Sequence, residues 1–428
     1  MLGAALLGAA LLAGCRGRGE DTPVTISGSV LGTEGQVLRR QVARYLSEHP
    51  GARVEIQPTP DDATQRHQLY VQWLNAHAGA PDVLQLDVVW TPEFAAAGWI
   101  LPLDRFAPPR DSFFAATVRA NVWAGKLYAI PWYVDVGLLY WRTDLLERAP
   151  SSMDDLALLA RRASAAAGGD GAPRYGIVWQ GARYEGLVTV FLEYLHGFGG
   201  RIMTDDGRVV VDSPEGVRAL AFMRDEIYDW RIAPPDVLTW HEEEARFAFQ
   251  NGAALFMRNW PYAYALLDDA RESRVAGRFA VTTMPAARGG QPTSALGGGQ
   301  LAINAYSPHA EAAYQLVAYL TAPAQLLERA RMGGYFPTRP ALYDDPRLAT
   351  ALSVPPAQAR RAVESATPRP VTPIWTQLSE ILQIHLHRAL VRQTSPEDAL
   401  RAAAREMDAL MERTRVRELM AGTAGRAE

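Results

Sequence analysis

The first apolar run in the chain, Leu2 to Ala13, is uninterrupted by any charge and then gives way to a short polar stretch. After it, Val24 to Val30 has the length and composition of a buried strand. Val37, Leu38, Val42, Tyr45 and Leu46 then recur at helical spacing until His49-Pro50-Gly51 ends them. Val54 to Gln57 is the next predicted strand, Leu69, Val71, Trp73 and Leu74 mark a second helix, and beyond Ala80-Pro81 the run Asp82 to Asp87 reads as a third strand. Strands and helices in strict alternation predict a parallel sheet with helices on both faces, which binds ligands at the carboxyl ends of its strands. The pattern resumes with Gly137 to Trp141 as strand and Ser152 to Ala165 as helix, so a second α/β unit is expected from about residue 130. A Gly/Pro-rich stretch, Met284 to Gly299, breaks the periodicity. Leu301 to Ala305 then reads as a strand and Ala310 to Leu320 as an amphipathic helix, consistent with the chain crossing back between lobes. Past Pro337 the pattern is mostly helical, with helices over Trp375 to Val391 and Pro396 to Arg415 and no repeat of solenoid period.

At 428 residues the chain is too long for one compact core, which agrees with two lobes. Its 43 basic and 47 acidic residues leave a net charge of -4, which argues against nucleic acid or an anionic membrane surface as a partner. Lys126 is the sole lysine, and because arginine is spread evenly along the chain this bias marks no site. A single cysteine, Cys15, rules out an internal disulfide framework and a cysteine-based metal cluster. The run Leu2 to Ala13 falls short of the roughly 20 residues that span a bilayer and suits the core of an export signal, although no Lys or Arg precedes it. Leu12-Ala13-Gly14-Cys15 resembles the bacterial lipobox. That resemblance implies a signal peptide over 1–14, lipid on Cys15, a tether over 15–22, and an exported body anchored at the outer face of the cytoplasmic membrane or in the periplasm.

Several chemistries fail on the residues themselves. There is no phosphate-binding Gly-x-x-x-x-Gly-Lys loop, no Gly-x-Ser-x-Gly elbow and no His-Glu-x-x-His helix. His385 and His387 stand two apart on a predicted helix and face different ways, so they cannot share a metal ion. Gly297-Gly298-Gly299 precedes a predicted strand instead of a helix, which favours a tight turn or close ligand approach over a phosphate cradle.

Aromatic and carboxylate chemistry remains. The chain has 11 Trp and 16 Tyr, and several stand beside acids at predicted strand ends: Asp87 near Trp90, Asp135 between Tyr133 and Tyr140, and Trp260 followed by Tyr262. A pyranose offers apolar C–H faces for stacking and a rim of hydroxyls matched by a carboxylate or a guanidinium fork. Asp87 draws most attention, because it closes the apolar strand Val83 to Leu86, where a charge has no packing reason to sit. Paired carboxylates with aromatic subsites would also describe a glycoside hydrolase, but no acid/base pair is evident.

Taken together, the lipobox, Pro81-Asp82-Val83 with Asp87, the block Ile130 to Tyr140, and Phe249-Gln250-Asn251-Gly252-Ala253-Ala254 leading to Asn259-Trp260 resemble the extracellular solute-binding proteins of ABC sugar importers, family 1. Trp179-Gln180-Gly181, Tyr184-Glu185-Gly186-Leu187, Arg258 to Ala263, Pro368-Arg369-Pro370 and Gln377-Leu378-Ser379-Glu380 resemble the trehalose/maltose-binding branch. The resemblance implies an α/β, two-lobed periplasmic-binding-protein-like fold of type II, maltose-binding-protein-like, with lobes joined by two or three hinge strands. One lobe would comprise 23–130 and 286–338, the other 131–285 and 339–428. It further implies a binding protein and not an enzyme, a disaccharide or short α-glucoside as ligand, no cofactor, a monomer, and a permease pair with a cytoplasmic ATPase as partners. Another polyol or a glycerol phosphodiester is the alternative ligand. By matching motif, Asp87 and Asp135 would grip hydroxyls, Tyr133, Trp260 and Tyr262 would stack or line the cleft, and Arg369 would reach in from the C-terminal segment. Glu34, Arg66 and the backbone at Gly298 complete the implied contacts. Gly299 stands where that branch leads one to expect a stacking tryptophan, which implies a different preference at the second ring.

Overall fold

The computed structural model describes residues 22–29, 32–60, 63–165, 173–204, 206–352 and 354–418. The apolar leader, Cys15 and all of the tether except residue 22 lie outside them. The first sheet is built on the alternation read from the sequence. β1 (Val24–Gly28) pairs in parallel with β2 (Val54–Pro58) and with β3 (Val83–Asp87), and the helices Gly32–Glu48 and Ala63–Asn75 make the crossovers. The buried carboxylate of Asp82 accepts the Thr25 amide at 2.7 Å and the Ser307 hydroxyl at 2.6 Å, which fixes β1, β3 and a later loop to one another.

A small hairpin, β4 (Val122–Trp123) with β5 (Lys126–Leu127), leads into β6 (Ala129–Val136). Only Gly137 separates β6 from β7 (Leu138–Arg142), and across that residue the chain passes from the first sheet to the second. The second sheet runs in the order β10 (Phe279–Thr282), β7, β9 (Ala254–Asn259), β8 (Tyr175–Val178); only β8 and β9 are parallel. The chain returns to the first sheet through β11 (Ser294–Ile303), which is antiparallel to both β3 and β6.

Two expectations need correction. The strand expected over Leu301 to Ala305 begins at Ser294, and the triple glycine lies inside it instead of in a turn before it. Glycine has no apolar side chain and so leaves no mark in the hydropathy pattern, yet ladder bonds to β3 and β6 on either side hold it extended, with a register shift against β6 between Gly299 and Gln300. The C-terminal part joins the second lobe later than residue 339. Helices Pro346–Ala349 and Pro356–Glu364 still pack on the first lobe, β12 (Ala366–Thr367) pairs with β11, and only the helices Trp375–Leu390 and Pro396–Arg413 pack against the second-lobe helices Glu185–Gly197 and Pro214–Tyr228. Three passages therefore join the lobes, at 136–138, 282–294 and 367–375. Among the described residues no helix is long and apolar enough to cross a membrane.

Candidate functional site

The carboxyl ends of β3 and β9, the helix N-termini at Gly32 and Glu185, and the crossing strands β6 and β11 converge on one cleft of about 310 Å³. Glu34, Arg66, Gln85, Asp87, Tyr133 and Asp135 line it from the first sheet and its helices. Tyr184, Glu185, Thr189, His241, Glu242 and Trp260 line it from the second lobe, and Gly297 to Gly299 with Arg369 form the floor between.

The first-lobe wall is acidic and hydrogen-bonded. Glu34 sits in the first turn of its helix, where the helix dipole favours a negative charge, and it accepts from the Gln85 amide and from the Tyr133 hydroxyl at 3.4 Å. Asp87 has a local role that its sequence position hides, because Oδ1 accepts the Val89 amide at 3.2 Å and closes the turn after β3. The same oxygen takes Arg369 Nη2 at 3.2 Å, while Arg369 Nη1 reaches Glu185 Oε1 at 2.7 Å. Asp135 is pushed up to about 7, first by loss of solvent and then by the neighbouring carboxylates Glu34 and Asp87, with Arg329 and Arg258 acting in the opposite direction.

The second-lobe wall is aromatic. Trp260 follows the last residue of β9, its carbonyl takes the Tyr140 hydroxyl at 2.7 Å, and its indole N–H donates to Glu242 at 3.3 Å. The Arg258 guanidinium lies 4.0 Å from the centre of its ring. Arg258 is itself fully buried and forked onto the fully buried Glu193, through Nε at 2.9 Å and Nη2 at 2.6 Å. Glu193 Oε1 also accepts the Ala295 amide of β11 at 3.1 Å, and a Cβ on Gly137 would stand 1.7 Å from that oxygen. The platform under Trp260 is thus tied to two of the three passages between the lobes.

The glycine floor is shaped by Tyr133. Gly298 has φ +123°, and a Cβ there would meet the Tyr133 carbonyl at 2.2 Å. A Cβ on Gly299 would meet the Tyr133 ring at 2.4 Å, so the ring fills the space in which the expected tryptophan would stand.

Of the residues singled out from the sequence, Glu34, Arg66, Asp87, Tyr133, Asp135, Trp260, Gly298 and Arg369 come together around this one cleft. Tyr262 does not line it; it stands at the start of the helix Ala263–Leu267, and its hydroxyl donates to Glu243 at 2.6 Å. Sequence reasoning passed over Gln85, Thr189, His241 and Glu242, and it quoted Tyr184 and Glu185 without giving them a role. It also passed over Arg329, which is 1% exposed and lies 3.7 Å from the Trp132 ring centre and 4.9 Å from that of Tyr133. None of its three guanidinium nitrogens has a hydrogen-bond partner among the described residues.

Residues 30–326 match the sequence model described as "Bacterial extracellular solute-binding protein". A "Probable ABC transporter-binding protein" of Deinococcus radiodurans is 35% identical over 362 residues, 82% of this chain and 85% of its own length. An "Arabinooligosaccharide-binding protein" of Halalkalibacterium halodurans is 24% identical over 71% of this chain and 69% of its own. Among solved structures, maltose-bound MalE3 of T. maritima superposes with a TM-score of 0.84 at 42% identity, covering 91% of this chain and 99% of that one. The GacH receptor of Streptomyces glaucescens, at 24% identity and a TM-score of 0.80 over 91% of this chain and 97% of its own, shares the fold.

Proposed function

Because this chain belongs to the bacterial extracellular solute-binding protein family, as a transport binding protein and not an enzyme, we propose that it captures a disaccharide or short α-glucoside of the trehalose or maltose kind for an ABC importer. The observation that carries this reading is the division of the cleft: carboxylates on the first lobe, Trp260 on the second, and Arg369 joining Asp87 to Glu185 between them. A sugar ring that stacks on Trp260 while its hydroxyls donate to Asp135 and Glu34 satisfies both walls at once. Neither wall alone does so.

The mechanism is a shift in a hinge equilibrium. With contacts divided between the lobes, the closed form holds the ligand better than the open one, so sugar draws the molecule shut and a permease reads the closed shape. The passages at Gly137 and β11 run beside the buried Arg258–Glu193 pair, so the lobes turn about a rigid point. Asp87 is bound to an arginine and to its own turn, which suits a fixed acceptor and not a proton-shuttling acid. A neutral ligand fits this wall better than a phosphodiester, because Arg369 is already spent on Asp87 and Glu185. On this reading the protein is exported and monomeric, and lipid on Cys15 keeps it beside its permease and ATPase.

A thermal-shift screen tests the reading, since a ligand that binds only the folded state raises Tm. Trehalose, maltose, sucrose or a longer α-glucan is expected to raise it. A rise with glycerol phosphates and none with sugars would overturn it.

A further inference from the structure

The cleft does not end at Asp87. A second chamber of about 360 Å³ continues from it and shares Ala63, Thr64, Asp87, Tyr184 and Glu185 with the first. It lies between the helix Ala63–Asn75 of the first lobe and the helix Trp375–Leu390 of the second. Beside it the lobes touch, where the Thr376 hydroxyl donates to Glu93 at 3.0 Å. We propose that this chamber holds a further sugar unit, so that the physiological ligand is an oligosaccharide of at least three units spanning both chambers. This rests on the carbohydrate reading of the first chamber.

Four polar side chains carry the inference. Gln68, Arg183 and Glu380 face the chamber, and none has a side-chain hydrogen bond or ion pair among the described residues. Gln383 spends its amide N–H on Ser379 at 3.1 Å and keeps its carbonyl oxygen. A guanidinium and a carboxylate therefore line one chamber without neutralising each other. In net charge Arg183 and Glu380 offset each other, and the shared Asp87 and Glu185 are engaged by Arg369, so the lining gives an anionic ligand no advantage, and with the two amides it offers donors and acceptors to a neutral polyhydroxyl ring. Trp90 and Trp375 also border the chamber, but at 5% and 1% exposed they offer little ring surface for stacking. The extra unit is thus held by hydroxyl contacts instead of stacking, in contrast to the ring on Trp260.

Calorimetry with maltose, trehalose, maltotriose and panose on the whole mature protein tests this. The trisaccharides are expected to bind at least tenfold more tightly than the disaccharides. The double variant Arg183→Ala, Gln383→Ala should lose that advantage while its disaccharide affinity stays within twofold. Equal affinity for both lengths in the wild type overturns the proposal, as does a variant that weakens both lengths alike. Disaccharide binding without a trisaccharide gain removes only the second chamber, whereas no binding by sugars of either length removes the carbohydrate reading as well.

Discussion

Arg258 and Arg329 hold comparable places in the two lobes. Each is buried behind an aromatic residue near the cleft, Arg258 at 4.0 Å from the Trp260 ring and Arg329 at 3.7 Å from Trp132 and 4.9 Å from Tyr133. They differ in what answers their charge. Arg258 is forked onto Glu193, whereas Arg329 has no hydrogen-bond partner among the described residues and lies over three rings, Tyr335 at 4.7 Å being the third. Burying a cation without a hydrogen-bonded partner is costly, and π faces return only part of that cost. On the cleft wall, where the first lobe gathers Glu34, Asp87 and Asp135, Arg329 favours the ionised form of Asp135. The second lobe thus uses its arginine chiefly as a mechanical mount, and the first uses its arginine chiefly as a charge acting on Asp135, which Arg258 also reaches to a smaller extent.

The largest effect should come from breaking the mount. Glu193→Gln leaves Arg258 charged and unpaired in the core, and the expected loss of stability is about 3–5 kcal/mol, read from the urea midpoint. Replacing both partners, Glu193→Leu with Arg258→Met, removes the orphaned charge and should recover much of that loss. A double variant no better than the single one would show that the pair is not the element that matters. Next in size is Trp260→Ala, which takes the platform away and keeps the mount. Stacking of this kind is worth about 1–3 kcal/mol, so sugar affinity should fall roughly 5- to 150-fold by calorimetry with stability nearly unchanged. Unchanged affinity would remove Trp260 from the ligand's surroundings.

The same contrast explains what could be read from the sequence. Strands β1 to β3 announced themselves because Val, Ile and Leu runs of strand length alternate with helical spacing, and Asp87 because a charge closes one of those runs. The glycines of β11 did not, since what they satisfy is a close approach to Tyr133 that exists only once β6 lies beside them. Trp260 and Tyr262 look alike in sequence, yet Tyr262 opens a helix and turns to Glu243, a direction that no spacing encodes. Arg258 and Arg329 were hidden for another reason. In a chain whose only lysine is Lys126, an arginine carries little information until burial singles it out.

The field attributed to Arg329 can be separated from a packing role. Arg329→Met keeps an unbranched side chain among the three rings and removes the charge. Stability should change by less than about 1 kcal/mol, because the lost cation–π attraction and the relief from burying an unpaired charge oppose each other. Ligand affinity should respond through pH. Asp135 is pushed up to about 7 with Arg329 present, and a sugar hydroxyl donates best to the ionised carboxylate, so wild-type affinity should strengthen as pH rises through about 7. Without Arg329 that midpoint should move to higher pH. An unmoved midpoint would reduce Arg329 to a packing residue.

The second lobe supplies the inverse of Arg329, a buried carboxyl without a cation. Glu226 is fully buried, accepts Trp179 Nε1 at 2.9 Å and the Tyr194 hydroxyl at 3.0 Å, and is pushed up to about 8 chiefly by burial. Its folded-state pKa lies above the ordinary value of 4.5, so the neutral form is the one the fold prefers. The contribution of this group to stability is therefore complete below about pH 4.5 and is lost as pH rises through about 8. Glu226→Gln keeps an acceptor for the indole and cannot ionise. It should match the wild type to within about 1 kcal/mol at pH 5 and become the more stable of the two above pH 8, with urea midpoints measured across that range. Parallel pH profiles for the two proteins would mean that Glu226 does not titrate across this range and that its burial does not couple the second lobe's stability to pH.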